Sequence, residues 1–368
     1  MASGLRIEQL LREMVNQKAS DLHLRAGVPP VFRINGALVR MFESIILDPA
    51  IMDEFLTDLM NREQLARFER DKECDFAVGA RDLGRFRVNV FRQRGSTALV
   101  IRHIKAKIPK FEELNLPPIV QELSLRKRGL ILVTGTTGSG KSTCLASMID
   151  HINEMETCNV ITIEDPIEYL HRDKKSIVSQ REIGVDTNSY ANSLRAALRQ
   201  DPDVILVGEI RDLETMQIAL TAADTGHMVF ATIHTTNAKE TIHRVLSLYP
   251  PHQHEEVRLL LASCLEAIIS LRLLPTKDEK GRVPAAEILI NTGAVRDYLV
   301  DKEKMDMVEQ AIAEGNIQYH SQTFDQALLK LYREERISYE TAMAAATNPD
   351  DFDLKVRGIS GTSERGWM

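Results

Sequence analysis

Residues 135–142 read Gly135-Thr136-Thr137-Gly138-Ser139-Gly140-Lys141-Ser142, with the apolar run LILVT directly before them and the helix-forming stretch TCLASMIDHIN close behind. The segment fits the phosphate-loop pattern G-x-x-x-x-G-K-[ST], and both contextual demands of that pattern, a preceding strand and a following helix, are met. Glycines let backbone N–H groups curl round a β-phosphate at a helix N-terminus. A lysine then places a cation on the β/γ oxygens, and a hydroxyl can ligate Mg²⁺. The opposing reading, a glycine-rich turn that binds nothing, has to explain loop, lysine, hydroxyl and flanks all at once. Nucleotide binding is therefore the first expectation.

A phosphate loop of this kind needs a parallel sheet around it, and the sequence supplies one. Leu130–Val133, Val160–Ile163, Val204–Val207 and Met228–Ile233 are short and apolar throughout, as strands buried on both faces are, and helical stretches separate them. The alternation predicts a doubly wound α/β core. Upstream, Leu5, Ile7, Leu10, Leu11 and Met14 form a helical stripe, Ser20–Leu24 alternates like a strand, and Asn35-Gly36 marks a hairpin turn between VFRI and ALVRMF. Helical periodicity runs from Asp48 to about Arg70, and strands are expected at Cys74–Val78, Arg85–Phe91 and Thr97–Ile104. These make a small α+β domain over residues 1–105. Residues 106–118, with three prolines and no period, read as a linker. The α/β domain then spans 119–300, helices follow over 301–347 with Phe324, Leu328 and Leu331 on one face and Ser338 as a cap, and 348–368 reads as a mobile tail.

Composition narrows the class. At about 150 residues per domain, 368 residues suggest two or three domains, and 43% apolar with 27% charged residues is an ordinary globular balance. A formal charge of −7 disfavours a protein that coats nucleic-acid phosphates, while leaving room for a local basic channel. The greasiest stretch, Leu259–Leu271, is interrupted by Glu266, so no run reaches membrane-spanning length. The N-terminus carries Glu8 and Glu13 and lacks the long apolar core of a signal peptide, so the expected compartment is the cytoplasm. Cys74, Cys144, Cys158 and Cys264 form no C-x-x-C pair and read as free thiols.

Several further residues bear on chemistry. Val204–Val207 delivers Glu209 to the carboxyl end of a strand, the edge where open α/β sheets bind ligands. There it can face Mg²⁺ or a water, or it can simply solvate a loop with Asp212. The strand at Val160–Ile163 empties into Glu164, Asp165 and Glu168, and a carboxylate here can orient a water in line with the γ-phosphate; local spacing does not choose among the three. His227 and His234 flank the strand MVFATI, each able to meet a phosphate or merely to satisfy a buried backbone group. Arg195 and Arg199 lie four apart on the predicted helix NSLRAALRQ, and Arg85 and Arg87 share one side of a strand. Either set can complete a phosphate site across a subunit boundary or serve in surface ion pairs. Arg126-Lys127-Arg128 reads as a solvated face.

Taken together, SDLHLRAGVPP, GRFRVNVFRQRG, GTTGSGKST, TIEDPIEY, LRAALRQDPDVILVGEIRD, TAADTGHMVFATIHTTNA and QTFDQALLKLY occur in one order over about residues 5–345. In this the chain resembles the PilT/PilU family of type IV pilus retraction ATPases within the secretion-ATPase superfamily. The resemblance implies a PAS-like N-terminal domain joined to a RecA-like P-loop ATPase core with C-terminal helices, six copies in a ring, and ATP with Mg²⁺ as cofactors. It implies nucleotide contacts from Gly135, Thr136, Thr137, Gly138, Ser139, Gly140, Lys141, Ser142 and Thr143, and Mg²⁺ ligation by Ser142 and Glu209. Glu168 matches the water-activating glutamate, Glu209 the Walker B acid and His234 the histidine-box residue. Arg87 and Arg102 match arginines from the N-terminal domain, and Arg195 and Arg199 match those from the core.

The implied function is a homohexameric motor at the cytoplasmic face of the inner membrane. It would dock on the pilus platform protein with only peripheral membrane association and no nucleic acid, and drive pilus retraction and twitching motility, with a paralogous retraction ATPase as a possible partner. Ala294–Asp301 keeps only part of a retraction-linked segment. TKDEKGR at 276–282 and the stretch from Gln322 to Met343 resemble the PilU branch, which leaves an accessory ATPase or a nucleotide-dependent adaptor as the alternative, with a nucleic-acid translocase behind them. Lack of paired C-x-x-C motifs separates the chain from the pilus-assembly and type II secretion branches.

Overall fold

Strands that are apolar on both faces must be covered on both faces, and the helices between them do the covering. A computed structural model describes residues 5–34, 36–104 and 108–359. They form two compact units, Met1–Lys107 with Glu168–Leu170, and Ile108–Ile167 with His171–Met368.

The first unit runs α1 (Ile7–Asn16), β1 (Asp21–Arg25), β2 (Val31–Ile34), β3 (Ala37–Arg40), α2 (Pro49–Leu59), α3 (Arg62–Asp71), β4 (Glu73–Ala80), β5 (Gly84–Gln93) and β6 (Ser96–Ile104). Its six strands form one antiparallel sheet in the order β3-β2-β1-β6-β5-β4. Period-two alternation splits the sheet into two faces. Leu22, Leu24, Phe32, Phe86, Val88, Val90, Leu99 and Ile101 are buried with Leu10, Leu11 and Met14 of α1 and Met52 and Phe55 of α2. Asp21, His23, Arg33, Arg87 and Arg102 alternate onto the opposite face. The helical stretch expected from Asp48 to Arg70 is two helices. It breaks at Asn61, whose side chain accepts from the Gln64 N–H while Gln64 reaches back to the Asn61 N–H. The hairpin expected between VFRI and ALVRMF forms, with Ile34 paired to Ala37, although Asn35 itself lies outside the described residues.

In the second unit come α4 (Phe111–Leu114), α5 (Pro118–Ser124), β7 (Gly129–Thr134), α6 (Lys141–Met155), β8 (Asn159–Glu164), β9 (Ile177–Glu182), α7 (Tyr190–Ala197), β10 (Val204–Val207), α8 (Leu213–Asp224), β11 (Met228–Ile233), α9 (Ala238–Ser247) and α10 (His254–Cys264). After these follow β12 (Leu265–Pro275), β13 (Arg282–Ile290), α11 (Gly293–Val300), α12 (Val308–Glu314), α13 (Asn316–Tyr319), α14 (Phe324–Arg333), α15 (Tyr339–Ala345) and α16 (Pro349–Val356). The sheet order is β13-β12-β7-β11-β10-β8-β9, parallel except for β13 at the edge. All four expected strands are present and buried, as β7, β8, β10 and β11. Leu130, Leu132, Ile205, Val207 and Val229 pack with residues of α8, α9 and α10 on one side; Ile131, Val133, Val160, Leu206 and Phe230 pack with α5 and α6 on the other. Each such side chain, fully buried, is worth roughly 1.5–3 kcal/mol.

Three expectations need correction. Residues 108–118 are not a free linker. They belong to the second unit, hold α4, and are pinned where Pro109 O accepts from Ser147 Oγ at 2.7 Å and Phe111 meets His151 edge-on; residues 106–107 lie outside the described residues. The expected tail begins instead with α16, capped by Asn348, whose Phe352 is fully buried with Phe324 and Leu328; residues 360–368 lie outside the described residues. Helix α7 stops at Ala197, so Arg199 sits in the turn beyond it, where its N–H bonds to Ala196 O and the chain turns away from α-helical pairing. The greasy run Leu259–Leu271 converts from α10 to β12 at Cys264-Leu265, and among the described residues no helix is long and apolar enough to cross a membrane. Phe324, Leu328 and Leu331 share the buried face of α14, Ser338 caps α15, and the four cysteines are free thiols.

Candidate nucleotide and metal site

Register in the parallel sheet brings four loop starts to one edge. Thr134 of β7 pairs with Ile233 of β11, and Val207 of β10 pairs with both Ala231 of β11 and Ile163 of β8. Gly135, His234, Gly208 and Glu164 therefore leave the sheet side by side at its carboxyl end, where such sheets bind ligands.

The loop itself is shaped by glycine. Gly135, Gly138 and Gly140 have φ of 141°, 81° and 100°, outside the region that other residues adopt without strain. A Cβ at Gly135 would fall against Ser139 Oγ and within 2.5 Å of the Leu271 carbonyl oxygen. Ser139 Oγ is buried with no hydrogen-bond partner among the described residues, an orphan that calls for a polar ligand. Helix α6 starts behind Gly140 with no side-chain cap, so its first N–H groups face the loop. Lys141 is buried and its Nζ donates to Gly135 O at 2.7 Å and Thr136 O at 3.0 Å, which folds the ammonium back into the cradle. Ser142 and Thr143 stand half-buried in the first turn of α6, Thr136, Thr137 and Gly138 on the exposed crest.

Facing the loop, Glu209 follows β10. Its Oε2 accepts from Arg211 Nη2 at 2.6 Å and its Oε1 lies 3.4 Å from His234 Nε2. Burial works against the anion, but the Arg211 hydrogen bond and the charges of His234, Arg211 and Lys141 together hold the carboxyl below its ordinary value. The structure thus brings together three expected residues, Lys141, Glu209 and His234. Thr232 Oγ1 donates to Gly208 O at 2.6 Å and ties β11 to the start of the Glu209 turn. The Glu209 carboxylate and the Ser142 hydroxyl are oxygen donors, the kind that suits Mg²⁺ held by one or two protein ligands and substrate phosphates.

Glu164 is engaged by Thr162 Oγ1 at 2.7 Å and Gln180 Nε2 at 3.1 Å, while Glu168 is exposed four residues further on. His227 resolves to the backbone reading: it sits at the opposite end of β11, with Nδ1 3.0 Å from Ala222 O. Arg87 and Arg102 are cross-strand partners in the first unit, with Arg87 Nε 3.8 Å from Asp75 and Arg102 Nε donating to Asp21 at 2.7 Å. Arg195 pairs with Glu214, and Arg199 is exposed. Lys127 and Arg126 are exposed and pair with Glu156 and Glu266, as a solvated face does.

Two residues escaped the sequence reading. Arg211 clamps Glu209, and Tyr190 turns its ring into the site. Burial, then the charges of Asp165, Glu209 and Glu164, push the Tyr190 phenol upward, so it stays a neutral donor. Gly208 makes room for it, since a Cβ there would lie 3.2 Å from the Tyr190 hydroxyl and 3.0 Å from Ile163 O. The start of the GEIRD motif already carried Gly208 and Arg211; nothing local pointed to Tyr190. Beside the loop a cavity of about 160 Å³ is lined by Ser139, Gly140, Thr143, Cys144, Leu116, Leu271 and Leu273 among others. A larger concavity, about 890 Å³ beside Glu8, Asp53 and Glu54, shares no residue with this site.

Comparison with known proteins agrees with the geometry. Residues 5–351 match the family described as Type II/IV secretion system protein. Among relatives, the type IV pilus ATPase PilU of Pseudomonas aeruginosa is 42% identical over 96% of this chain and 92% of its own length. The type IV pilus retraction ATPase PilT of the same organism is 44% identical over 94% and 99%. Among solved structures, the pilus retraction motor PilT with bound ADP superposes with a TM-score of 0.88 at 48% identity, over 94% of this chain and 98% of that one. DotB of Legionella pneumophila gives 0.76 at 27% identity over 96% and 95%. With a phosphate loop after β7, an ionised acid after β10 at the same sheet edge and this coverage, the chain belongs to the Type II/IV secretion system protein family, as an ATPase similar to the pilus retraction enzymes.

Proposed function

We propose that this ATPase is a Mg²⁺-dependent homohexameric motor that powers type IV pilus retraction from the cytoplasmic face of the inner membrane, docked on the pilus platform protein. The observation that carries the reading is the meeting of Lys141, Glu209 and His234 at the carboxyl edge of the parallel sheet, in a chain similar over nearly its whole length to PilT and PilU.

In this reading the N–H groups of 138–143 and the Lys141 ammonium take the β- and γ-phosphates, and Ser142 and Glu209 hold Mg²⁺, which would neutralise charge that develops on the phosphates. Lys141 must exchange its two loop carbonyls for phosphate oxygens, a trade of neutral acceptors for charged ones that favours the nucleotide. The neighbouring apolar cavity would take the base. Glu168 would orient the attacking water, and His234, held against Glu209, would register the γ-phosphate. Arg87 and Arg102 of a neighbouring copy, with Arg195 and Arg199, would close the interface on the triphosphate. Hydrolysis and phosphate release then remove the charge that held it shut.

The test is twitching motility and pilus retraction in a deletion strain complemented with wild type or Lys141→Ala, alongside ATPase assays of both proteins. Loss of turnover and of retraction together is expected. Retraction that persists with the turnover-dead protein would replace the motor by an accessory adaptor, and DNA-stimulated turnover would replace it by a translocase.

A further inference from the structure

The SDLH segment belongs to none of the roles above, yet it sits at a definite place. Asp21 of β1 is the register partner of Arg33 on β2 and of Arg102 on β6, and Arg102 in turn is the partner of Arg87 on β5. Arg33, Asp21, Arg102 and Arg87 thus form one row across four strands, on the sheet face that does not carry the apolar core. Such a row of three guanidinium groups around one carboxylate has a defined order, and the carboxylate is its buried member. The Asp21 side chain is 8% exposed, against 65% for Arg102. Its Oδ2 accepts from Ser20 Oγ at 2.8 Å and lies 3.9 Å from Arg33 Nε; its Oδ1 accepts from Arg102 Nε at 2.7 Å.

We propose that Asp21 is a positioning residue for Arg102, holding the guanidinium by Nε alone so that its two terminal nitrogens project outward to meet phosphate oxygens. An arginine side chain is long and flexible, and much of the cost of using one is the freedom lost on binding. Anchoring Nε fixes the plane of the fork in advance and leaves its bidentate edge open, so the ordering is done before a phosphate arrives. Asp21 is suited to the task because it is itself fixed. Burial opposes its ionisation, yet the hydrogen bonds from Ser20 and Arg102 and the charge of Arg102 hold it below the ordinary aspartate value. Ser20 therefore sets one oxygen, and the other is left for the arginine. The inference rests on the reading that Arg102 completes a neighbouring copy's nucleotide site.

The test is steady-state ATPase kinetics on the full chain, with particle size followed by light scattering, for Asp21→Ala, Asp21→Asn, Arg102→Ala and the Asp21→Ala/Arg102→Ala double variant. Asp21→Ala is expected to lose about tenfold or more in kcat without loss of assembly. Asp21→Asn, which keeps an acceptor oxygen of the same reach, is expected to recover part of it, and the double variant to be no slower than Arg102→Ala alone. Losses that multiply in the double variant, or full activity in both Asp21 variants while Arg102→Ala is impaired, would overturn the positioning role and leave the interface reading standing. Wild-type turnover by Arg102→Ala would remove the interface reading itself, and this inference with it. Should Asp21→Ala not fold, Asp21→Ser, whose hydroxyl is too short to reach Arg102 Nε, takes its place: wild-type kcat there with an impaired Arg102→Ala refutes the role.

Discussion

Glu287 offers the sharpest physical test of the second unit. It lies on β13 opposite Ser270, is buried, and its Oε1 accepts the N–H of Ala238, the first residue of α9, at 2.7 Å. Burial above all, with the charges of Glu309 of α12 and Asp325 of α14, raises the carboxyl to about 7 against the pull of the Ala238 hydrogen bond and of Arg272 of β12. The folded value therefore lies above the unfolded one of about 4.5. Between the two the native chain holds a proton that the unfolded chain has released, so this contribution is full below about pH 4.5 and is lost as pH rises through 7. The difference between about 7 and 4.5, at about 1.4 kcal/mol for each tenfold change in proton affinity, corresponds to about 3.5 kcal/mol, an upper bound on the effect. Glu287→Gln keeps the acceptor oxygen and removes the titration. Urea unfolding followed by circular dichroism should therefore find the two proteins similar at pH 5 and the variant more stable by up to about 3.5 kcal/mol at pH 8.5. Taking the difference cancels every other titrating group. Parallel stability curves across that range would show that Glu287 titrates normally, and the account of its burial would be wrong.

Glu168→Gln should bind ATP within a few-fold of wild type while hydrolysing it at least about 100-fold more slowly, read by nucleotide-binding fluorescence against phosphate release; normal steady-state turnover removes Glu168 from the catalytic role. Gly208→Ala places a methyl 3.0 Å from Ile163 O and 3.2 Å from both Glu164 Cα and the Tyr190 hydroxyl, so it should cost about 1–3 kcal/mol and lower turnover; an unchanged thermal midpoint would refute the close packing. Phe352→Ala empties the anchor of α16 and should cost about 3–5 kcal/mol by chemical denaturation, whereas a free tail would leave stability untouched.

How legible the chain was follows from which signals are local. The phosphate loop and the four central strands were readable, because a glycine pattern and an apolar run are complete within a few residues; the same local signal put Glu209 and His234 at strand ends but left their roles open. The β12–β13 pair was not. Leu259–Leu271 is largely apolar whether it lies in α10 or in β12: Leu259 is apolar yet exposed, and β12 is buried on both faces, so neither a period of 3.6 nor a period of 2 marks Cys264-Leu265 as the boundary. Residues 108–118 carry linker composition, yet Ser147, distant in sequence, fixes Pro109. Phe352 stands in a stretch of Asp and Gly that reads as solvent-facing, and only the cluster around Phe324 and Leu328 gives it a core. Tyr190 and Glu287 reach their roles through contacts with residues distant in the sequence, which no window on the sequence contains.

The candidate bridging arginines differ in a way that bears on how an interface could close. Arg87 faces Asp75 and Arg195 faces Glu214, acids that are 56% and 58% exposed, and pairs of that kind contribute about 0–1 kcal/mol. A phosphate carrying more charge can draw either arginine away at little cost. Arg102 is held by a carboxylate with 8% exposure, and leaving that carboxylate unpaired is the expensive event. A triphosphate that met the row would therefore gain Arg87 by exchange and Arg102 only by coming to it. Salt should weaken the first contribution more than the second, because a pair with both partners exposed is screened more than one whose carboxylate is buried. On these terms a triphosphate that reached the row would find Arg102 already fixed by a buried carboxylate, and Arg87 free to move to it.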